Sequence, residues 1–354
     1  MQRIKVKAPQ QLAKLKSAGF ANDLEVKLDA GIRSGLLLGI HVVLVSRHGE
    51  LVLERYDEGR DESWGRPLGH VAFGRQVLHD LRSVTKSVVS ILYGIALDRG
   101  LVPEADAPLL SQFPEYADLA ADPVRAKLTT GHVLTMTMGT EWNEQLPYND
   151  PANSEIMMEH AADRYRFVLD RPIKEPPGTR WVYNGGCTAI IGRLIEKATG
   201  QTLMDFARDA LFAPLGIKKF EWAKGRDGVH SAASGLRLLP RDLLRIGELV
   251  LNRGSWNGQQ IVSKQWLDAS SDPVIATGDG LRYGRHWFLG ESSVPAFGRP
   301  QRWIGGFGNG GQRLWIMPSA NLCAVILAGN YNLSEAWVYP TRIWREIVLA
   351  NLLK

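Results

Sequence analysis

Cysteine is nearly absent: the 354-residue chain has two, Cys187 and Cys323. Two isolated thiols exclude a disulfide framework and a cysteine-rich zinc site, and they read as small buried hydrophobes. Long apolar runs are missing too. The longest, Leu36–Val45, is broken by Gly39 and His41, far short of the roughly 20 residues of a membrane helix. The basic start (Arg3, Lys5, Lys7, Lys14, Lys16) has no hydrophobic signal core behind it, so no membrane span is expected and the chain as given reads as soluble. That fits the cytoplasm, or the periplasm or exterior after removal of a signal. Excess charge is small: 42 bases against 37 acids leave +5. A nucleic-acid surface needs a longer basic stripe with interleaved aromatics, so no nucleic-acid partner is expected and the basic start reads as a solvated tail. Eight histidines show no H-E-x-x-H or paired-ligand spacing, so neither a metal nor another cofactor is expected. No G-x-S-x-G occurs, which removes the α/β-hydrolase reading. Glycine-rich Gly305–Gly311 lacks the lysine-serine ending of a phosphate loop and reads as close backbone approach in a strand.

What is present is ordinary globular material, 45% hydrophobic and 22% charged. The length suggests two domains, or one with an insertion. Ile40–Val45 and Leu51–Leu53 flank Arg47-His48-Gly49-Glu50 as a hairpin. From Ser83 to Asp98 the period becomes helical, with Val84, Val88, Ile91, Leu92 and Ile95 on one face and Gly100 as the stop. A second helix runs through Ala189–Leu194 to Gly200. Arg313–Met317 and Leu322–Leu327 read as paired strands, and Glu335–Leu353 as a closing amphipathic helix. Strands at both ends and helices between predict an α/β (α+β) fold: an antiparallel sheet flanked by helices, with an inserted helical domain. The expected division is 1–90 plus 235–354 for the sheet domain and 91–234 for the helical one, with the site at their interface.

The strongest chemical signal is Ser83-Val84-Thr85-Lys86 at the start of an apolar helix. Three residues is almost one turn, so Ser83 and Lys86 share a side. A serine hydroxyl needs an adjacent base. Lysine serves only if its pKa falls well below about 10.4, which burial and the helix dipole favour. The Ser83 amide, free of intrahelical partners, can donate to an oxyanion. Alone, the motif is a weak signal, and a helix cap plus a surface lysine is the plainer reading.

Its surroundings resemble the serine β-lactamase and penicillin-binding protein superfamily. Leu81-Arg82-Ser83-Val84-Thr85-Lys86-Ser87 looks like the start of that superfamily's nucleophile helix. Pro177-Gly178-Thr179-Arg180-Trp181-Val182-Tyr183-Asn184-Gly185-Gly186 is similar to the P-G-x-x-F-x-Y-S-N segment of the class C branch. Ser234-Gly235-Leu236, Asp242-Leu243 and Gly254-Ser255-Trp256 resemble its later helices. The resemblance, from about Gly39 to the C-terminal helix, implies Ser83 as nucleophile, Lys86 as base and Tyr183 as a proton-relaying phenol. Without the flanking match, Tyr183 reads as a core tyrosine. The family's K-T-G strand falls on Gly306-Phe307-Gly308, which implies an oxyanion site at Gly308 and the Asn309 amide. Two departures stand out: no lysine or histidine at Gly306, and Gly185 where the Y-x-N pattern has asparagine. Arg302 and Arg313 are stand-ins for the missing cation, or solvated strand-edge charges.

Esterases and nylon-oligomer amide hydrolases of the superfamily tolerate such changes. Trp142-Asn143-Glu144 through Tyr148-Asn149-Asp150-Pro151 resembles the amide hydrolases' substrate-covering loop, in which Tyr148 would close over a bound amide; the alternative is an exposed loop tyrosine. Trp181, Trp287, Trp303 and Trp315 are expected mostly in the core. The function these features imply is a metal-free serine hydrolase forming an acyl-enzyme on a small-molecule ester or amide. Its alternatives are a β-lactamase or D-Ala-D-Ala carboxypeptidase, and a ligand-binding module without catalysis.

Overall fold

The computed structural model describes residues 9–353; Arg3, Lys5 and Lys7 of the basic start lie outside them, while Lys14 and Lys16 are exposed on helix α1 (Pro9–Ser17). The N-terminal hairpin forms as β1 (Ile40–Arg47) and β2 (Glu50–Tyr56). Its turn residues His48 (φ 53°) and Gly49 (φ 77°) are both left-handed, the two-residue turn whose twist suits the flanking strands. From residue 275 the chain returns to the same sheet as β3 (Ile275–Ala276), β4 (Arg282–Tyr283), β5 (Phe288–Val294), β6 (Arg299–Gly308), β7 (Gln312–Met317) and β8 (Leu322–Ala328). The eight strands run β3-β4-β5-β6-β7-β8-β1-β2, every neighbouring pair antiparallel. Pairing of β8 with β1 joins the two ends of the chain.

Both faces of the sheet are covered. Successive strand residues point to opposite sides, so Val43 and Val45 of β1 pack with α1, α2 (Leu24–Arg33) and the C-terminal helix. Val42 and Leu44 pack into the second core with α3 (Val84–Asp98), α4 (Gly185–Thr199) and α5 (Pro240–Leu251). Helix α3 ends near Gly100 at φ 67° and α4 at Gly200 at φ 68°, the left-handed cap that glycine adopts without strain. The one-sided apolar stripe read into α3 is too narrow a description: it is buried on every side from Val84 to Ala96. Short helices, Thr130–Leu134, Ser154–His160 and Arg164–Leu169, punctuate the loops between α3 and α4, and Leu203–Ala207 follows α4. No helix among the described residues is long and apolar enough to cross a membrane.

Two local readings change. The closing helix starts at Val338 rather than Glu335, widens from Ile343, tightens from Leu349, and releases Leu352 to bridge Phe20. Pro340 fits a helix only in its first turn, which sets that start. Leu236 lies in a strand, Leu236–Leu238, and Ser255–Trp256 in a two-residue hairpin strand; only Asp242-Leu243 is helical, in α5. Trp287, Trp303 and Trp315 are buried as expected, as are both cysteines, but Trp181 is half-buried against Tyr283.

Candidate active site

Leu236–Leu238 pairs with His79–Asp80 and so fixes the approach to α3. Between that strand and the helix stands Arg82 with φ 47°, a conformation that costs a non-glycine residue about 1–3 kcal/mol. Its amide donates to Asp80 Oδ1 (2.9 Å), its guanidinium to Glu62 (2.7 Å), and it lies 4.6 Å over the Tyr331 ring. Those contacts hold a sharp turn that delivers Ser83 to the helix N-terminus. Ser83 is 8% exposed and Lys86 2%. Lys86 Nζ donates to Ser83 Oγ (3.1 Å) and to the Ala233 carbonyl (3.0 Å).

Two carboxylates that the sequence reading missed complete the lysine's surroundings. Glu155 Oε2 is 3.6 Å and Glu144 Oε1 4.0 Å from Lys86 Nζ, and both glutamates are buried. This overturns the expected lowering of the lysine pKa. Burial does push it down, but the Tyr183 phenol, Glu155 and Glu144 together hold the ammonium above its ordinary value. At about 4 Å and an effective dielectric of about 20, one unit charge is worth about 4 kcal/mol to another, enough to offset the desolvation of an ammonium. Burial and the neighbouring Glu155 charge push Glu144 up to about 8, while burial's effect on Glu155 is outweighed by Lys86 and by hydrogen bonds, which bring it below the usual carboxylate range. The two carboxyls are thus pushed in opposite directions, Glu144 up and Glu155 down.

Glu144 is anchored by three donors. Trp142 Nε1 (2.7 Å) and the Gly185 amide (2.5 Å) bond its Oε2, and the Tyr148 hydroxyl (2.9 Å) bonds its Oε1. Tyr148 is therefore neither an exposed loop residue nor free of the site: it is half-buried, and it lines the cavity above Ser83. Asn184 caps α4 by accepting from the Cys187 amide (3.1 Å), which sets Tyr183 just before the helix. The Tyr183 phenol adjoins the Ser83 hydroxyl, and its ring centroid is 4.8 Å from Lys86 Nζ. Gly185 has a steric reason. A Cβ built there would collide with Glu155 Oε2, so the carboxylate occupies the space that the Y-x-N asparagine would take. A departure from pattern at Gly185 was visible in sequence; nothing in sequence said that Glu155 filled it.

Asn309 and Ser83 line one cavity of about 430 Å³, shared with Trp64, Tyr148, Glu155 and Ser234. The β6–β7 turn brings Asn309 there, and Gly308 lets the strand pass close to the turn before Ser83: a Cβ at Gly308 would sit 2.6 Å from the Leu81 carbonyl and 3.1 Å from Arg82 Cβ. At Gly306 a Cβ would lie 3.1 Å from both Ser87 Oγ and Val84 Cγ1, so a longer side chain requires those neighbours to give. Neither proposed stand-in cation lines the cavity. Arg302 is an exposed strand charge 3.5 Å from Glu291, and Arg313 is buried, donating to the Gly308 and Gln312 carbonyls.

A second polar cluster, His41, Asp61 and His79, has its ligating atoms within 4.8 Å of one another, and sequence spacing gave no sign of it. Its hydrogen-bonding capacity is directed inward. His41 Nδ1 meets His79 Nε2 (3.0 Å), His79 Nδ1 meets the Asp80 carbonyl (2.9 Å), and Asp61 accepts from Tyr331 (2.8 Å) and Arg237 (3.3 Å). The Arg237 guanidinium already supplies Asp61 with the positive charge a dication would bring, so the donor set fits a folded hydrogen-bond network better than a metal.

Comparison with known proteins agrees with the geometry. Over 213 residues the chain is 31% identical to esterase EstB of Burkholderia gladioli, a match covering 58% of this chain and 52% of that one. It is 25% identical over 334 residues to the 6-aminohexanoate-dimer hydrolase of Paenarthrobacter ureafaciens, covering 88% and 76%. The chain thus matches about half the length of the esterase and three quarters of the hydrolase. Among solved structures, EstCE1, a hydrolase with promiscuous acyltransferase activity, superimposes with a TM-score of 0.72 at 17% identity, covering 96% of this chain and 99% of that one. A class C β-lactamase from Rhodobacter sphaeroides does so with 0.66 at 18% identity, covering 91% and 98%. The family model described as Beta-lactamase matches residues 29–336, and with the Ser83 turn, the buried lysine and the antiparallel sheet in hand, the chain belongs to the beta-lactamase family.

Proposed function

We propose that the protein is a metal-free serine hydrolase that forms an acyl-enzyme on Ser83 and acts on small neutral esters or amides. The observation that carries this reading is the Ser83–Lys86 hydrogen bond at 3.1 Å, at the mouth of a cavity that Asn309 also lines. In this reading Ser83 Oγ attacks the substrate carbonyl, and its charge collects on an oxyanion facing the main-chain amides of Ser83 and Asn309. Removing one such donor typically costs about 100- to 1,000-fold in turnover. Lys86 and Tyr183 handle the proton on either side of the nucleophile, and Tyr148 closes the cavity over the acyl group. The relatives' names, an esterase and an amide-dimer hydrolase, support the same bond types. The 1–90 plus 235–354 and 91–234 division is retained as part of the proposal, since the cavity draws lining residues from all three stretches.

The test is covalent. A fluorophosphonate is expected to leave one adduct, on Ser83, by peptide mass spectrometry. Ser83→Ala is expected to lose turnover of a nitrophenyl ester while keeping the wild-type melting temperature. An adduct on another serine, or turnover surviving in Ser83→Ala, removes Ser83 from the mechanism.

A further inference from the structure

We propose that Glu155 is the terminal acceptor of the proton that Ser83 releases on acylation, receiving it through Lys86. The proposal rests on the serine-hydrolase reading above. Lys86 Nζ donates to Ser83 Oγ at 3.1 Å and to the Ala233 carbonyl at 3.0 Å. An ammonium can take the serine proton only by shedding one of its own in the same motion. The Ala233 carbonyl cannot hold a proton, and Glu144 is occupied by Trp142, Gly185 and Tyr148. Glu155 Oε2 lies 3.6 Å from Nζ, takes no other donor of normal hydrogen-bond geometry among the described residues, and is near enough to the Glu144 carboxyl to share its proton. Its other oxygen accepts from Ser234 (3.3 Å), which aims the carboxylate. Glycine at 185 is what leaves room for it.

The step balances. As Ser83 Oγ bonds to the carbonyl carbon, its proton moves to Lys86 Nζ, and Lys86 passes one proton to Glu155 Oε2. The lysine stays an ammonium throughout, so no neutral amine has to form beside two carboxyls. The negative charge leaves Glu155 and reappears on the substrate oxyanion. When the tetrahedral species collapses, the carbon–oxygen or carbon–nitrogen bond breaks, the leaving group takes a proton back along the same path, and Glu155 returns to a carboxylate. Glu155 thus acts through Lys86, as a positioning residue for the proton rather than a group that touches substrate.

The pH behaviour depends on everything charged around the pair. Lys86 faces it from α3, and the Tyr183 and Tyr148 phenols are both pushed above their ordinary values, chiefly by burial. Glu159, pushed up to about 7 by burial, is bonded to Arg164 (2.9 Å). His286, lowered to about 3 by burial and then by Lys86, and Cys187, raised by burial, are both uncharged at neutral pH.

The experiment is pre-steady-state acylation by a nitrophenyl ester across pH, in wild type, Glu155→Gln and Glu155→Asp. Glu155→Gln is expected to slow acylation at pH 7 by about 100-fold, the low end for a lost general-base function. It should recover as pH rises, because Lys86 without its anion loses its proton more readily and becomes a base itself. Glu155→Asp should retain more of the rate. An unchanged rate, or a loss equal at every pH, overturns the proposal. Should Glu155→Gln fail to fold, a proton inventory on wild-type acylation decides: a curved plot, two protons in flight, is expected, and a straight line overturns it. Fluorophosphonate labelling separates the two readings. An adduct on Ser83 together with a negative result above sinks the relay alone, whereas no adduct sinks the hydrolase reading with it.

Discussion

Two buried polar clusters sit close to the start of α3, and they differ in one respect. Around Lys86, one carboxylate oxygen of Glu155 is left without a hydrogen-bond partner, and Ser83 opens on a cavity. Around Asp61, the imidazoles of His41 and His79 bond to each other and to a backbone carbonyl, and the carboxylate takes two donors. Burial and charge are common to both. Each cluster keeps a buried polar atom without a hydrogen-bond partner among the described residues, Glu155 Oε2 in one and Arg237 Nε in the other, but only the first borders the cavity, and it is this, rather than the presence of titratable groups, that marks a place where protons can move.

Removing the cation from each cluster breaks the comparison most severely. Lys86→Ala and Lys86→Arg are both expected to lose about 100- to 10,000-fold in kcat/KM, arginine because it keeps the charge but cannot exchange a proton near neutrality. Near-wild-type rates for Lys86→Arg would reduce the lysine to a fixed charge. Arg237→Ala, in the closed cluster, should instead destabilise the fold by about 3–5 kcal/mol in denaturant titrations, the cost of leaving one partner of a buried pair behind. A larger effect on kcat than on stability there would erase the distinction.

One group in each cluster, Glu144 and His41, should also respond to pH with opposite sign. Glu144 is raised in the folded protein from 4.5 to about 8. The folded state therefore binds more protons than the unfolded one between those values, and stability is lost as pH rises through that window. His41 is lowered from 6.5 to about 3, so its contribution is present above 6.5 and lost as pH falls towards 3. Thermal melts of Glu144→Gln should show less loss on the alkaline side, and those of His41→Gln less on the acid side. The same change on both sides in either variant would contradict these assignments.

A smaller effect concerns substrate choice. A charged hydrogen bond missing at Gly306 is worth about 1.5–3 kcal/mol, so catalytic efficiency on a short-chain nitrophenyl ester should exceed that on nitrocefin or a D-Ala-D-Ala peptide by at least about tenfold. Equal or faster nitrocefin hydrolysis would instead favour a β-lactamase. Gly306→Lys should narrow the gap only if Val84 and Ser87, each 3.1 Å from the new Cβ, move aside. The smallest expected effect is none at all: EDTA should leave activity unchanged, and a loss that zinc restores would reassign His41, Asp61 and His79 as a metal centre.

Local chemistry was legible wherever sequence neighbours make the structure. The hairpin at His48-Gly49, the α3 start at Ser83, the glycine stops at Gly100 and Gly200 and the β7–β8 pair all depend on residues a few positions apart. So does the Ser83–Lys86 contact, one helical turn long. Tyr183 and Asn309 came from motif resemblance over the same short range. The departures at Gly185 and Gly306 were visible too, as missing side chains, though not what took their place. Which residues fill the space beside Gly185, and which charge state Lys86 adopts, depend on groups brought from distant stretches of chain. Glu144 and Glu155 reach Lys86 on a loop and a short helix with no spacing that marks them, and Asp61 meets His41 and His79 across three separate strands. A nucleophile's position is set by backbone geometry within a turn, but a buried group's pKa is set by every charge within a few ångströms, whatever its place in the chain. That is why the sequence alone named the serine and its lysine, while only the packed tertiary structure decided which carboxylates surround the lysine and so in which direction its pKa moves.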